Sequence, residues 1–411
     1  MQPNLIPHLF RSEYRKITSV LCKHLGFENL EVAEDIASET FLLATETWGL
    51  KGYPENPTAW LYTVAKNKAK NYFKHNSVFT QKIIKEIKFS HSKFQEIEID
   101  LSEKNIFDSQ LQMMFAVCHP SISSEAQIGL SLRILCGFGI DEIADAFLCN
   151  KEQINKRLYR AKEKLRIGKV KIELPNEKEI NERLENVLTT LYLLFNEGYY
   201  SSSKKVTLRK DLCIEAMRLT GLLTDNEYTN KPSVNALLSL MCFHASRFEA
   251  RTNKEGEPVL YQDQDENLWN DELINRGEYY LNLASTGDNI SKYHLEAGIA
   301  YWHTNKADTK EKWENILQLY NRLLIIEYSP IAALNRTFAL SKANGKHVAI
   351  VEAEKLNLVD NHLFHTLLGE LYTDFNNSKA LLHLQKAISL AKSPADQNLI
   401  SNKIRLIQEK I

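Results

Sequence analysis

Long hydrophobic runs, clustered cysteines and a strong net charge are all absent from this 411-residue chain. No stretch approaches the ~18 apolar residues of a bilayer span, and the opening MQPNLIPHLFRSEYRK does not have the regions of a secretory signal. The six cysteines lie far apart without a CxxC pair, which is typical of reduced, mostly buried thiols. We therefore expect a cytoplasmic protein that does not enter a membrane.

Glycine and proline are also scarce, at 15 and 10 residues, and few stretches have the two-residue period of a strand. Nearly every periodic segment has helical spacing instead. In residues 30–48 one stripe comprises Ala33, Ile36, Ala37, Phe41 and Ala44. The pattern predicts an all-α protein, and the length indicates two or three domains.

The net charge of −1 is unevenly distributed along the chain. Residues 1–171 contain 24 Lys and Arg against 20 Asp and Glu, whereas the remainder contains 27 against 32. A mildly basic N-terminal part and an acidic C-terminal part weakly favour nucleic-acid binding at one end only.

Residues 140–165 predict a helix-turn-helix, because two short apolar stripes of helical period flank a tight break. Asn150 is placed to cap the second helix, with Gln153 completing a capping box. The outer face of that helix is rich in side chains that suit DNA: Lys151, Gln153, Asn155, Lys156, Arg157 and Arg160. The alternative is a solvated helical hairpin, which Glu152 and Glu163 would also fit.

A second candidate surface lies in residues 56–76, NPTAWLYTVAKNKAKNYFKHN, where Pro57 opens a helix. Aromatic residues are interleaved with lysines, a combination that suits unstacked bases of single-stranded or melted DNA. The alternative is that the aromatics belong to the core and the lysines to a solvated face.

From residue 180 onwards the chain is a succession of amphipathic helices, interrupted by a loop at 251–270. Residues 367–394 resemble the tetratricopeptide pattern, which favours repeat-like stacking over a generic helical bundle. A polar cluster beside the loop could line a ligand or peptide pocket or could anchor the loop by ion pairs: His244, Arg247, Asp263, Asp265 and Trp269.

The sequence contains no motif for a nucleophile, a phosphate loop or a metalloprotease site. Cys118 and His119 are half of a conceivable zinc site, but they have no close second pair of ligands. We therefore predict neither an enzyme nor a cofactor or metal.

The order of these segments resembles an RNA polymerase sigma factor of the extracytoplasmic-function (ECF) type. LEVAEDIASETFLLATETW (30–48) resembles the helix that docks on the polymerase clamp, residues 56–76 the helix that opens the −10 element, and residues 140–166 the helix-turn-helix that reads the −35 element. LYLLFNEGYYSS (191–202) and YQDQDENLWN (261–270) are similar to the subgroup with a helical, tetratricopeptide-like extension. Leu148 departs from the pattern, since many such turns have glycine there.

The resemblance implies a role for each set of residues. Polymerase would be bound by Asp35, Glu39 and Phe41, and the −10 DNA by Trp60, Lys66, Asn67 and Lys70. The outer face of the second helix-turn-helix helix would read the −35 DNA. The implied domains are 1–76, a linker at 77–107, the helix-turn-helix domain at 108–172, and a regulatory domain at 180–411.

The expected function is promoter recognition and transcription initiation with core RNA polymerase and promoter DNA as partners. The C-terminal domain would tune this function, in response to a protein or small-molecule signal if its polar cluster is a pocket. One alternative is a helix-turn-helix regulator that acts without polymerase, and another is a helical protein-binding scaffold.

Overall fold

The computed structural model describes residues 5–85, 99–147, 149–199, 209–253, 259–392 and 394–409. Within these ranges the chain forms α-helices and short 3-10 or π turns without a β-strand, so the predicted all-α class is confirmed. The chain divides into two compact units, Met1–Leu194 and Phe195–Ile411. The turn residue Leu148 and residues 86–98 of the predicted linker lie outside the described ranges.

The described residues of the first unit contain the start of eight helices: α1 (Leu5–Leu25), α2 (Leu30–Lys51), α3 (Pro57–Lys85), α4 (Glu103–Val117), α5 (Ser124–Leu130), α6 (Ile140–Ala146), α7 (Lys151–Ile167) and α8 (Glu177–Tyr199). Helix α1 packs against α2, α3 and α4. It ends where Gly26 takes a left-handed φ of 69°, a conformation that glycine adopts without strain. Helix α3 continues to Lys85, into the segment predicted as a linker.

Ten helices follow in the part of the second unit that the structure describes: α9 (Lys210–Thr224), α10 (Pro232–Ala245), α11 (Asp271–Ala284), α12 (Lys292–Trp302), α13 (Lys310–Ile326), α14 (Pro330–Asn344), α15 (Lys346–Lys355), α16 (His362–Tyr372), α17 (Asn377–Leu390) and α18 (Pro394–Gln408). From α12 onwards each helix packs on the next along the chain. Between α16 and α17, Gly369 faces Leu384 and Ala380 so closely that a Cβ at Gly369 would lie 2.6 Å from Leu384 Cγ. The two helices therefore need a glycine at this crossing.

The helix-turn-helix has the predicted local structure. Asn150 Oδ1 accepts a hydrogen bond from the Gln153 backbone N–H at 2.8 Å, and Gln153 Oε1 accepts one from the Asn150 N–H at 3.2 Å. The predicted capping box is thus confirmed. The inward stripe of α7 is fully buried, with Ile154, Leu158, Ala161 and Leu165 all at most 3% exposed.

Candidate polymerase and nucleic-acid interface

Helix α2 presents an exposed face that carries both carboxylates and leucines. The predicted inward stripe of the helix is buried, and it leaves Asp35 and Glu39 exposed on the other side. Phe41 is only 4% exposed and packs edge-on against Phe10 with ring centroids 5.0 Å apart. Its side chain therefore supports the helix from the core.

Exposed leucines complete this face of α2, and the sequence analysis singled out none of them: Leu50 is 88% exposed near the end of the helix, and two more lie at its middle. Leu42 is 60% exposed and Leu43 is 37% exposed, next in sequence to the buried Phe41. Leaving large apolar side chains in water gives up the free energy that burial would supply. The signal in the sequence was that both leucines fall off the Ala33–Ala44 stripe, which already fills the side that packs on the core.

Helix α3 also exposes its polar residues, because its apolar stripe packs on the core. Leu61, Ala65 and Ala69 lie at i, i+4 and i+8 and are fully buried. Asn67 and Lys70 are consequently exposed.

The other two residues predicted to face the −10 DNA are half-buried. Trp60 packs edge-on against Trp48 with ring centroids 5.3 Å apart, and Lys66 is partly covered. Lys68 Nζ, one residue beyond Asn67, lies 2.6 Å from Glu39 Oε2 and so joins α3 to the exposed face of α2.

Five of the six residues predicted to read the −35 DNA are exposed on α7: Lys151, Gln153, Asn155, Lys156 and Arg160. Lys151 Nζ lies 2.6 Å from Asp141 Oδ1 on α6. Arg157 is half-buried, with its guanidinium carbon 5.3 Å from the ring centroid of Phe147. Arg157 therefore also holds the two helices of the motif together.

Glu34 of α2 connects the two parts of the first unit. This carboxylate is 8% exposed and accepts hydrogen bonds from Arg133 Nε and from Lys162 Nζ of α7, both at 2.8 Å. A buried carboxylate is tolerated when charged donors satisfy it on both oxygens. Glu34, Arg133 and Lys162 line a surface cleft. Asp35 of α2 and Asn155 of α7 also border this cleft. A residue predicted to bind polymerase and one predicted to read DNA therefore lie on one cleft.

The predicted C-terminal pocket residues are only partly brought together. Arg247 and Trp269 are both 8% exposed and both contact Tyr261, with Arg247 Cζ 5.4 Å and the Trp269 ring 6.1 Å from its centroid. His244 packs on Tyr199, and burial and the Arg247 charge hold its pKa well below the ordinary value.

The two carboxylates of the predicted pocket are exposed. Asp265 accepts a hydrogen bond from the Asn267 backbone N–H at 3.0 Å and thereby caps a 3-10 turn. The structure places two further residues beside Tyr261. The ring centroid of His303 lies 5.0 Å from the Tyr261 ring centroid, and Lys312 Nζ lies 5.4 Å from it. They are distant in sequence, and no local motif marks them.

The described residues contain no group of three His, Cys, Asp or Glu side chains arranged to hold a metal ion. Cys118 is buried with its Sγ 4.0 Å from Ser131 Oγ, while His119 Nδ1 lies 2.9 Å from Ser121 Oγ. Across the same residues, every helix is too short or too polar to cross a bilayer.

Comparison with known families agrees with this geometry. Residues 9–78, which cover α1, α2 and most of α3, match Sigma-70 region 2. The chain therefore contains a Sigma-70 region 2, which supports a relationship to the sigma-70 family and a role in RNA polymerase binding and promoter recognition. Residues 183–285 match a family of unknown function, DUF6596.

One relative extends this likeness over nearly the whole chain. The uncharacterized protein R00370 of Rhizobium meliloti (strain 1021) is 30% identical over 379 residues, which cover 90% of this chain and 88% of that protein. The chain belongs to the same family as this relative. No solved structure matches the chain.

Proposed function

We propose that the protein is an ECF-type sigma factor whose C-terminal helical domain tunes promoter recognition. The observation that carries this proposal is the occurrence, in one compact unit, of a Sigma-70 region 2 and a basic helix-turn-helix. A regulator that acted alone would need only the second of these.

Polymerase would dock on the exposed face of α2. Asp35 and Glu39 supply charge to steer and orient the encounter, while Leu42 and Leu43 supply apolar area whose burial stabilises the complex. Phe41 would act indirectly, by fixing the helix on its core.

The promoter would be bound in two places. Asn67 and Lys70 of α3 would contact the −10 strand, with Trp60 and Lys66 at the partly covered margin of that surface. Phosphate contacts set the register and unstacked bases can lie on aromatic rings, which would stabilise the melted strand.

The −35 element would be read by α7 in the major groove. Exposed Asn155, Lys156 and Arg160 can reach base edges and phosphates, whereas Lys151 and Gln153 already have partners in α6 and in the capping box. Two alternatives do not involve polymerase: a DNA-binding regulator and a protein-binding scaffold. The polymerase-binding and transcription experiment described below separates them from a sigma factor.

We further propose that the domains have the boundaries predicted from the sequence: 1–76, the linker at 77–107, 108–172 and 180–411. The helices of the last domain would stack in a tetratricopeptide-like manner. The close Gly369–Leu384 crossing and the burial of Ala380 and Ala387 support this packing. A truncation before α8 would remove contacts of the first unit, because Thr190 Oγ1 of α8 donates to Gln127 Oε1 at 2.9 Å. The test therefore uses the full chain.

The experiment is co-purification with core RNA polymerase followed by in-vitro transcription on a genomic fragment library. We expect the full chain to bind core polymerase and to start transcripts at discrete promoters, Leu42→Ser to weaken polymerase binding, and Arg160→Ala to reduce initiation at bound polymerase. Lys104→Ala, an exposed lysine on α4, is the matched control and should change neither. Promoter binding without polymerase binding would support the regulator instead, and failure of both would support the scaffold.

A further inference from the structure

Two buried cations contact one aromatic ring in the second unit. Arg247 Cζ and Lys312 Nζ each lie 5.4 Å from the centroid of Tyr261, and their residues are only 8% and 3% exposed. Removing a charge from water is costly, so buried Arg and Lys are almost always paired with carboxylates. Two neighbouring buried cations therefore call for a negative partner.

The contacts that the described residues provide to these cations are neutral. Lys312 Nζ donates to Tyr261 Oη at 3.2 Å and to the backbone oxygen of Asn305. Arg247 Nε is buried without a hydrogen-bond partner in the described part of the chain. Lys306 adds a third cation nearby, and it donates to the backbone oxygen of Gln262 at 3.3 Å.

The titratable groups around the ring supply only part of the negative charge. Burial lowers the pKa of Lys312, and the charges of Asp308 and Glu266 raise it again without restoring its ordinary value. Burial and the charges of Arg247 and Lys312 lower the pKa of His303 to about 3, so this imidazole is neutral. Asp308 is exposed and already accepts hydrogen bonds from Lys342 Nζ at 2.9 Å and from Trp313 Nε1.

Further buried polar atoms in this region also have no hydrogen-bond partner among the described residues. They are Nδ1 of His244 and of His303, Oε1 of Gln264 and Nε1 of Trp269. Each buried group of this kind costs free energy unless a partner satisfies it. Of these residues, His303 and Trp269 pack on Tyr261 itself, which favours a site built for a bound polar group over a set of separate packing defects.

Lys312 also borders a cleft of about 220 Å³, together with Asn305, Thr309, Tyr301 and Glu278. Thr309 caps the 17-residue helix α13, and Lys312 lies in its first turn. The N-terminus of a helix favours anions, because its free N–H groups and dipole carry partial positive charge. The cleft thus gives a small anion access to Lys312, past the Glu278 carboxylate that also borders it.

We propose that the second unit binds a small molecule through its carboxylate or phosphate group, held between Arg247 and Lys312 beside Tyr261. The guanidinium can bind such a group with two parallel hydrogen bonds, and Lys312 supplies a point charge from the cleft side. The site concerns the second unit alone, so it stands or fails independently of polymerase binding.

The test is thermal unfolding and calorimetric titration of the full chain with sodium phosphate and with sodium benzoate, against sodium chloride at equal ionic strength. At about tenfold excess over Kd, phosphate or benzoate should raise the Tm of the second unit by roughly 3–5 °C, and chloride should not. Equal shifts in all three salts would show a general ionic-strength effect and overturn the proposal.

Arg247→Met and Lys312→Met should each weaken the binding of the effective anion by at least about tenfold, the size of one lost charged contact. Without anion, both variants should be as stable as the natural chain or more stable, because they remove an uncompensated buried charge. Lys310→Met, an exposed lysine of the same helix paired with Glu314, is the matched control. Loss of stability with unchanged anion binding would show a purely structural role and contradict the proposal.

A further variant tests whether a carboxylate of the chain itself neutralises Arg247 and Lys312. Glu255 and Glu257 lie outside the described residues, and both are replaced in Glu255→Gln/Glu257→Gln. Unchanged anion binding is expected. Destabilisation that Arg247→Met reverses would identify one of these glutamates as the negative partner and overturn the ligand site.

Discussion

Lys162 Nζ of α7 lies 2.8 Å from Glu34 Oε2 of α2, which joins the helix proposed to read DNA to the helix proposed to bind polymerase. The second oxygen of Glu34 accepts from Arg133 Nε, which follows α5 in the chain. One carboxylate therefore ties together elements that lie far apart in the sequence, and its removal has a definite expected cost.

Glu34→Gln should destabilise the first unit by about 2–3 kcal/mol, because Arg133 and Lys162 would lose a charged partner in a largely buried setting. Both cations are partly exposed, so water offsets some of the loss. The measurement is urea unfolding at neutral pH. Glu31→Gln, on the exposed side of the same helix, should stay within about 0.5 kcal/mol of the natural chain. Equal stability of the two variants would contradict the structural role of Glu34.

Asn150→Ala should cost about 1 kcal/mol of stability, since it removes the side chain that caps α7. Asn155→Ala makes the same chemical change at an exposed interior position of the helix and should raise stability slightly, by up to about 0.7 kcal/mol, because alanine is the better helix former. Chemical unfolding followed by helical circular dichroism compares them. If the two substitutions cost the same, the capping box does not contribute as proposed.

Arg160→Ala should weaken promoter binding without loss of stability, because the side chain is exposed on α7. Arg157→Ala should lower both, since this side chain also covers Phe147. Anisotropy titrations of a −35 duplex with polymerase holoenzyme, at several salt concentrations, should show a slope reduced by about one for each lost phosphate contact. An unchanged slope for Arg160→Ala would exclude a phosphate contact from this residue.

Acid should destabilise the second unit. Burial lowers the pKa of His303 to about 3, and burial also lowers the pKa of His244 and of His383. Below about pH 6.5 the unfolded chain therefore binds more protons at these imidazoles than the folded chain does. Stability is thus complete above pH 6.5 and is lost as the pH falls, for His303 by about 1.4 kcal/mol per pH unit.

The pH dependence is checked by urea unfolding between pH 7.5 and pH 4.5, a range chosen to span ~6.5, the unperturbed histidine pKa. His303→Gln should flatten the dependence, while His347→Gln, at an exposed position, should leave it unchanged. A second unit whose stability did not change across this range would mean that these histidines are accessible to protons in the folded chain.

Much of the local structure was determined by the sequence alone. The start of α3 at Pro57 and the capping box of Asn150 follow from signals within a few residues of each other, and helical periodicity along the chain predicted the all-α class. Helix periodicity also predicted the buried stripe of α7. Hydrogen bonds at i and i+4 and side-chain caps are formed within one segment, so a local pattern is sufficient to specify them.

Only the tertiary structure decided which charged residues meet. Glu34 pairs with Arg133 and Lys162, which lie 99 and 128 positions away in the sequence. Arg247 and Lys312, which lie on different elements, contact the same Tyr261 ring. Phe41 differs, because the helical stripe already placed it on the apolar side of α2, where the fold buries it, although the resemblance assigned it to polymerase binding. Burial and charge pairing depend on how distant helices pack, and a helical period identifies which side of a helix is apolar without specifying what will cover it.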